Sequence, residues 1–250
     1  MLGLGSNISK TGKLGVQDLG IVTSDLVLKH NYDLSSVQPV SDGAAYFDGS
    51  GHITVGDNND MGTNDVSVAC WFFPITDTVH GAGLVTKQAN YNANAIGYGL
   101  YFRHSTSKVY FNVGDDTSGS RTDGELSTIG LSDYQWIHAA GTYDQSTGVN
   151  KLYINGVEVD SATQNDPLLG TLNNSELLKL GHAGAYYNGY IANAAIWSGV
   201  LKPAQIKSIM WKKYSDLTSS ETTDLVSWYN LSADANDSKA SVDGTLSGTV

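Results

Sequence analysis

The chain of 250 residues has one cysteine, four prolines and no apolar run long enough to span a bilayer. A single thiol excludes an intrachain disulfide framework and any paired-cysteine metal site. Cys70 lies in the apolar stretch VSVACWFF, where a thiol acts as a small core side chain. Basic residues are scarce: 14 Lys and Arg stand against 25 Asp and Glu, for a net charge of −11. This balance argues against nucleic acid as a partner, because phosphate binding draws on clustered Lys and Arg. It also disfavours a polybasic membrane contact, and no membrane insertion is expected. Glutamate is scarcer still, with only Glu125, Glu158, Glu176 and Glu221. The N-terminal segment lacks a basic stretch followed by an apolar core, so a secretory leader is not expected. There is no His-Glu-x-x-His, Gly-x-Ser-x-Gly or phosphate-loop pattern.

What the chain does have is alternation. In DVSVACWFFP, Val66, Val68, Cys70 and Phe72 alternate with Ser67, Ala69, Trp71 and Phe73, and Pro74 ends the run. YGLYFRHSTSKVYFNVGD predicts a hairpin turning at residues 104–107, with Leu100, Phe102, Val109, Phe111 and Val113 inward. WIHAAGTYDQSTGVNKLYINGVEVDS predicts a second hairpin turning near residues 145–150. Asn155-Gly156 within it is a type I′ signal, so Val157 and Val159 are expected to fold back as a third strand. Further strands are expected over 44–55, 177–181 and 190–197. One segment has helical period: in KPAQIKSIMWKKY, Ile206, Ile209, Met210 and Lys213 fall at i, i+3, i+4 and i+7, with Pro203 suited to the first turn. Many strands, Gly-rich turns and one late helix predict an all-β sandwich.

The ends differ from the middle. Five of the first 20 residues are glycine, interspersed with Leu2, Leu4, Leu14, Val16 and Leu19. This predicts a Gly-rich arm over residues 1–20, a sandwich over 21–214, and a C-terminal strand with a polar tail over 215–250. SDLVLKHNYDLS (24–35) and TDLVSWYNLS (223–232) echo one another and read as equivalent strands.

Four stretches resemble the laminin-G-like group of the concanavalin A-like lectin/glucanase superfamily. They are AAYFDGSGHITVG, DVSVACWFFP, the Trp-x-His-x-x-x-Thr-Tyr-Asp hairpin with its Leu-Tyr-x-Asn-Gly turn, and KLGHAGAYYNGYIANAAIWSGVLKPAQI. The resemblance implies a jelly-roll β-sandwich. It also implies a structural calcium ion, for which Asp48 is the candidate ligand; Asp57, Asn58 and Asp60 supply further hard oxygens in GDNND. The pattern departs from the family after Gly189-Tyr190-Ile191, where Ala192-Asn193 replaces an acid that often helps hold that ion.

Glucan-cleaving members of the superfamily carry Glu-x-Asp-x-x-Glu, because a retaining mechanism needs two carboxylates about 5–5.5 Å apart. No two glutamates here lie within five residues of each other, so the chain is expected not to be an enzyme. His138 sits in the hairpin and reads as framework. A glycan-binding face is expected from alternation: Tyr101, Arg103, Tyr110, Asn112 and Tyr153 point away from the core-directed residues. Aromatic rings suit the flat apolar side of a sugar, and polar groups read its hydroxyls. Tyr186, Tyr187 and Asn188 form a second candidate, with Tyr187 expected to pack.

Short laminin-G-like proteins occur among phage virion proteins, so the resemblance implies a non-enzymatic virion surface protein, in a head decoration or beside a tail. The alternative is a carbohydrate-binding or adhesion module of an extracellular cellular protein. Expected partners are other virion proteins or a second copy, through the arm and the C-terminal strand, and cell-surface glycans.

Overall fold

The computed structural model describes residues 39–75, 81–89, 95–116, 130–163 and 170–250. The Gly-rich arm and the echoing segment 24–35 lie outside the described residues. Thirteen strands follow in order: β1 (Ala45–Asp48), β2 (His52–Gly56), β3 (Val66–Pro74), β4 (Ala82–Thr86), β5 (Gly97–Arg103), β6 (Lys108–Gly114), β7 (Ile137–Asp144), β8 (Val149–Ile154), β9 (Val157–Thr163), β10 (Leu178–Leu180), β11 (Asn188–Trp197), β12 (Leu225–Tyr229) and β13 (Thr245–Ser247). They build two antiparallel sheets, one ordered β1-β11-β3-β7-β8-β9 and the other β13-β2-β10-β4-β5-β6. The result is the expected all-β jelly-roll sandwich, with few helices among the described residues.

The core between the sheets is the one that alternation predicts. Val66, Val68, Cys70 and Phe72 face Leu100, Phe102, Val109, Phe111 and Val113, with Leu152 and Ile154 beside them. Asn155 (φ 49°) and Gly156 (φ 74°) both take the left-handed conformation that the tight β8–β9 turn demands. Cys70 is fully buried, and burial pushes its thiol far up, so it stays protonated and inert.

β11 holds the first sheet together. One side pairs with β3 along its length. The other side is shared: β1 takes Asn188–Ile191 and β12 takes Ala194–Trp197. Residues 215–250, expected as a strand and a polar tail, thus supply β12 here and β13 to the edge of the second sheet beside β2. The polar stretch after β12 folds back onto it: the Trp228 amide donates to Asp237 Oδ1 at 2.9 Å, and the Ser238 amide donates to the Trp228 carbonyl.

The outer face of the first sheet is organised in rows. Trp228, Ala195, Ala69, Ala140 and Tyr153 are successive cross-strand neighbours on β12, β11, β3, β7 and β8. Three alanines between two aromatics make a shallow trough. Helix α1 (Pro203–Ile209) fills it with Ile206 and Ile209, both buried. The helix ends earlier than its sequence period suggests. Met210 remains buried and its carbonyl accepts from Trp71 Nε1 at 3.2 Å, whereas Lys213 lies past the helix and pairs with Asp42.

A second short helix, α2 (Ser219–Thr222), pins this cover down. Glu221 accepts from Lys212 Nζ on both oxygens, at 2.8 and 2.7 Å, and from the Thr218 amide and hydroxyl, while Trp197 Nε1 donates to its carbonyl. Burial alone would raise its pKa, but the hydrogen bonds from Lys212, Ser208 and Thr218 outweigh that and hold it at about 2. His138, buried edge-on to Trp71 at 5.3 Å, is pushed down to about 3 by desolvation.

Two predictions follow from this packing. Gly141 lies opposite the Phe111 ring, and a Cβ there would overlap it. Gly141→Ala should therefore destabilise by roughly 1–3 kcal/mol in urea unfolding. Acid should act in two windows. Both groups have folded pKa values below their unfolded ones, so their contributions are complete above the unfolded values and are lost on acidification. The His138 contribution falls from about pH 6.5 towards 3, and that of Glu221 from about pH 4.5 towards 2. Glu221→Gln should flatten the lower limb of the stability–pH curve and leave the upper limb in place.

Candidate functional site

The rows on the first sheet's outer face continue away from α1. Ala192, Trp71 and His138 form the next, capped by Met210. Among the described residues no helix covers the row beyond it: Tyr46 pairs with Tyr190 and Tyr190 with Phe73, while Trp136 flanks Phe73. Ring centroids are 4.9 Å apart for Tyr46–Tyr190, 5.9 Å for Tyr190–Phe73 and 5.6 Å for Phe73–Trp136. Tyr46 is 41% and Tyr190 36% exposed, while Phe73 and Trp136 are half-buried.

A cleft of about 430 Å³ opens over this row, lined by Phe73, Trp136 and Tyr190 on the floor and by Pro39, Ser41, Gly43 and Ala44 on the wall. The wall is braced from behind. Ser41 Oγ donates to the Gly43 carbonyl at 2.6 Å, and Asn193 Nδ2 donates to the Val40 carbonyl at 3.2 Å. A smaller hollow of about 170 Å³ shares Ser41 and is lined by Asp42, Lys213, Tyr214, Ser215 and Asn230. Chemically the floor is aromatic and the wall offers the Ser41 hydroxyl and backbone groups, which suits a ligand with one flat apolar side and hydroxyls along its edge.

The residues expected to form the glycan face stand elsewhere. Tyr101, Tyr110 and Asn112, all buried, lie on the outer side of the second sheet, where Tyr101 and Tyr110 pack with Ala183. Tyr101 Oη donates to Gln88 Oε1 at 2.6 Å. Arg103, half-buried, stacks its guanidinium 5.6 Å above the Tyr110 ring. Tyr153 is on the other sheet, buried at the end of the alanine trough, and its hydroxyl donates to Glu158 Oε2. The five are therefore not one exposed surface. Alternation placed each opposite the core correctly, but packing from distant segments removed all but Arg103 from the surface. Tyr187 packs as expected, and Tyr186 is exposed beside His182.

The aromatic row was only half visible in the sequence. Phase puts Phe73 on the outer side of β3, but Trp136 opens a predicted hairpin without marking a surface, and Tyr46 and Tyr190 carry no signal of being neighbours.

Calcium does not fit the donors at Asp48. Its Oδ1 accepts from the Ser50 amide at 2.9 Å and the Ser50 hydroxyl at 2.7 Å, closing the β1–β2 turn. The side-chain bond from Ser50, then its amide, hold the Asp48 carboxyl below its usual range. After Gly-x-Ile, Ala192 offers no side-chain oxygen and Asn193 turns its amide nitrogen to Val40. Among the described residues, no three His, Cys, Asp or Glu side chains gather as metal ligands.

Comparison with known proteins agrees with the architecture. No curated protein matches the sequence. A Bacteroides ovatus protein thought to bind carbohydrate superposes with a TM-score of 0.62 at 15% identity, over 85% of this chain and 60% of that one. The chain thus spans 60% of the length of that relative. The carbohydrate-binding module of a Ruminococcus gnavus sialidase, solved with sialyllactose, gives 0.51 at 12% identity, over 68% of this chain and 99% of the module. Domain 4 of an extracellular arabinanase from Geobacillus stearothermophilus, solved with arabinotriose, gives 0.50 at 24% identity, over 67% and 76%. Residues 47–207, more than half of the sequence, match the laminin-G-type family model. The chain belongs to the concanavalin A-like lectin/glucanase superfamily.

Proposed function

We propose that this chain is a non-catalytic carbohydrate-binding protein whose contact surface is the bare aromatic row of Tyr46, Tyr190, Phe73 and Trp136. The observation that carries this reading is the cover of the first sheet. Helix α1 and its flanks bury the first two rows of its outer face, while the third stays open beneath a cleft. Large apolar rings left open together beneath a cleft mark a binding surface rather than unfinished packing. Carbohydrate is the occupant favoured by the chemistry, since the rings supply flat apolar area and Ser41, with the backbone of the wall, supplies hydrogen-bonding groups. The superfamily relatives solved with sugars support the same class. Catalysis is not part of the reading, because among the described residues no pair of carboxylates lines the cleft.

The setting we propose is a phage virion surface, supported by the sequence resemblance, with the leucines of residues 1–20 docking the protein to the particle or to a second copy. A module of a larger cell-surface protein or secreted enzyme is the second reading. It is favoured by the relatives that are themselves domains of an arabinanase and a sialidase. Mass spectrometry of purified particles separates the two.

Trp136→Ala and Tyr190→Ala should each weaken binding to a glycan identified on an array by roughly tenfold or more, as expected of a central aromatic contact. Their melting temperatures should stay close to that of the parent. Tyr110→Ala should do the reverse, keeping affinity while losing about 3 kcal/mol or more of stability as a buried aromatic. Unchanged affinity in both cleft variants would overturn the site. Hydrolysis of a glucan above buffer, abolished by substituting one acid of this chain, would overturn the non-catalytic reading.

A further inference from the structure

The Asp57, Asn58 and Asp60 cluster, a candidate for calcium from sequence, contains a cation of another kind. Lys87 follows β4 and is completely buried, although it is a lysine. Its Nζ lies 2.6 Å from Asp57 Oδ1 and 3.3 Å from Asp60 Oδ1. It also donates to the carbonyls of Glu176 at 2.5 Å and Asn174 at 3.2 Å. Two carboxylate and two carbonyl oxygens therefore converge on one ammonium. This is the hard-oxygen chemistry that a calcium site uses, and an ammonium with three donors satisfies it through hydrogen bonds instead. The Asp57 and Asp60 side chains remain 50% and 37% exposed, whereas that of Lys87 is fully buried, so the positive charge lies beneath them.

The surroundings hold the lysine in place from several sides. Its amide donates to the Tyr98 carbonyl at 2.8 Å, and its carbonyl accepts from Asn174 Nδ2 at 2.8 Å. Asn174 Nδ2 also reaches the Ile96 carbonyl, and Asn174 Oδ1 accepts from the Glu176 amide. The hydroxyl of Tyr98 donates to the Asn59 carbonyl at 2.7 Å, and the Gly62 amide donates to Asn173 Oδ1 at 2.6 Å. Residues 57–62 and 172–176 are thus drawn together around the end of β4 with Lys87 at their centre. A buried ammonium without such partners would be strongly destabilising, and so would the paired carboxylates without a cation between them.

We propose that Lys87 is the resident cation of this cage. A tethered ammonium stands where a hard-oxygen cluster would otherwise require a divalent ion, and the loops at residues 57–62 and 172–176 hold without calcium. This inference does not depend on the carbohydrate reading.

Thermal melting of the full chain tests it. The parent protein should melt at the same temperature in chelator and in millimolar calcium. Lys87→Met keeps the apolar stem and removes the charge; it should lower the melting temperature by roughly 10 °C or more, with no recovery in calcium. Lys87→Ala leaves two carboxylates and two carbonyls around an open space. It should lose stability likewise and regain part of it in calcium but not in sodium at equal ionic strength. A chelator that lowers the parent's melting temperature would overturn the proposal, and this arm decides even if neither variant folds. So would Lys87→Met melting with the parent, or Lys87→Ala indifferent to calcium.

Discussion

A one-residue bulge in β11 sets the geometry of the first sheet. Ala192 pairs with Trp71, but Ala195 pairs with Ala69, so β11 spends three residues where β3 spends two. The extra residue is Asn193, held at φ 48°, a conformation asparagine tolerates better than most side chains. The bulge changes the phase of the strand. Tyr190 and Ala192 before it, and Ala195 and Trp197 after it, all face outward, while Ile191, Ala194 and Ile196 enter the core. A regular strand could not present both sets to the same side. Asn193 is also the residue whose side chain holds Val40, between the cleft-lining Pro39 and Ser41.

That phase change has consequences for binding. Past the bulge, small side chains admit a helix; before it, aromatic ones stay open. The division follows size. Ala195, Ala69 and Ala140 let α1 approach the backbone closely, and Trp228 and Tyr153 close the ends of the trough. Tyr190, Phe73 and Trp136 are too bulky for a helix to approach so closely, and they form the cleft floor instead. One sheet face therefore serves both as a second core and as a candidate ligand surface, with Trp71 between them. The C-terminal residues complete the arrangement, because β12 occupies the half of the β11 edge that β1 leaves open.

Charge is arranged in the same economical way. The chain is acidic, with a net charge of −11, yet two of its buried charges are compensated locally. Lys87 lies under Asp57 and Asp60, and Glu221 is matched by Lys212. Each tie joins segments that no strand pairing connects, so side-chain electrostatics secure the loops and helices where backbone ladders end.

Much of the fold was legible in the sequence because alternation and turn chemistry are local. Most of the strands, the two hairpins, the Asn155-Gly156 turn and the late helix follow from neighbouring residues. So does the inward set of Leu100, Phe102, Phe111 and Leu152. In contrast, β4 and β13, short and without a clear alternating pattern, did not announce themselves. What local pattern cannot carry is the identity of whatever covers an outward side chain. Tyr101 and Tyr153 have the same phase as an exposed residue, yet one is closed over with Ala183 packed against it and the other lies under α1, from 50 or so residues further on. Tyr46, Phe73, Trp136 and Tyr190 are scattered along the sequence and become one row only through strand register. Lys87 meets Asp57 across 30 residues and Glu176 across 89. Sequence determined which residues could leave the core; tertiary packing decided which of them reach the surface, because burial depends on segments that are distant in the chain and adjacent only in the folded sandwich.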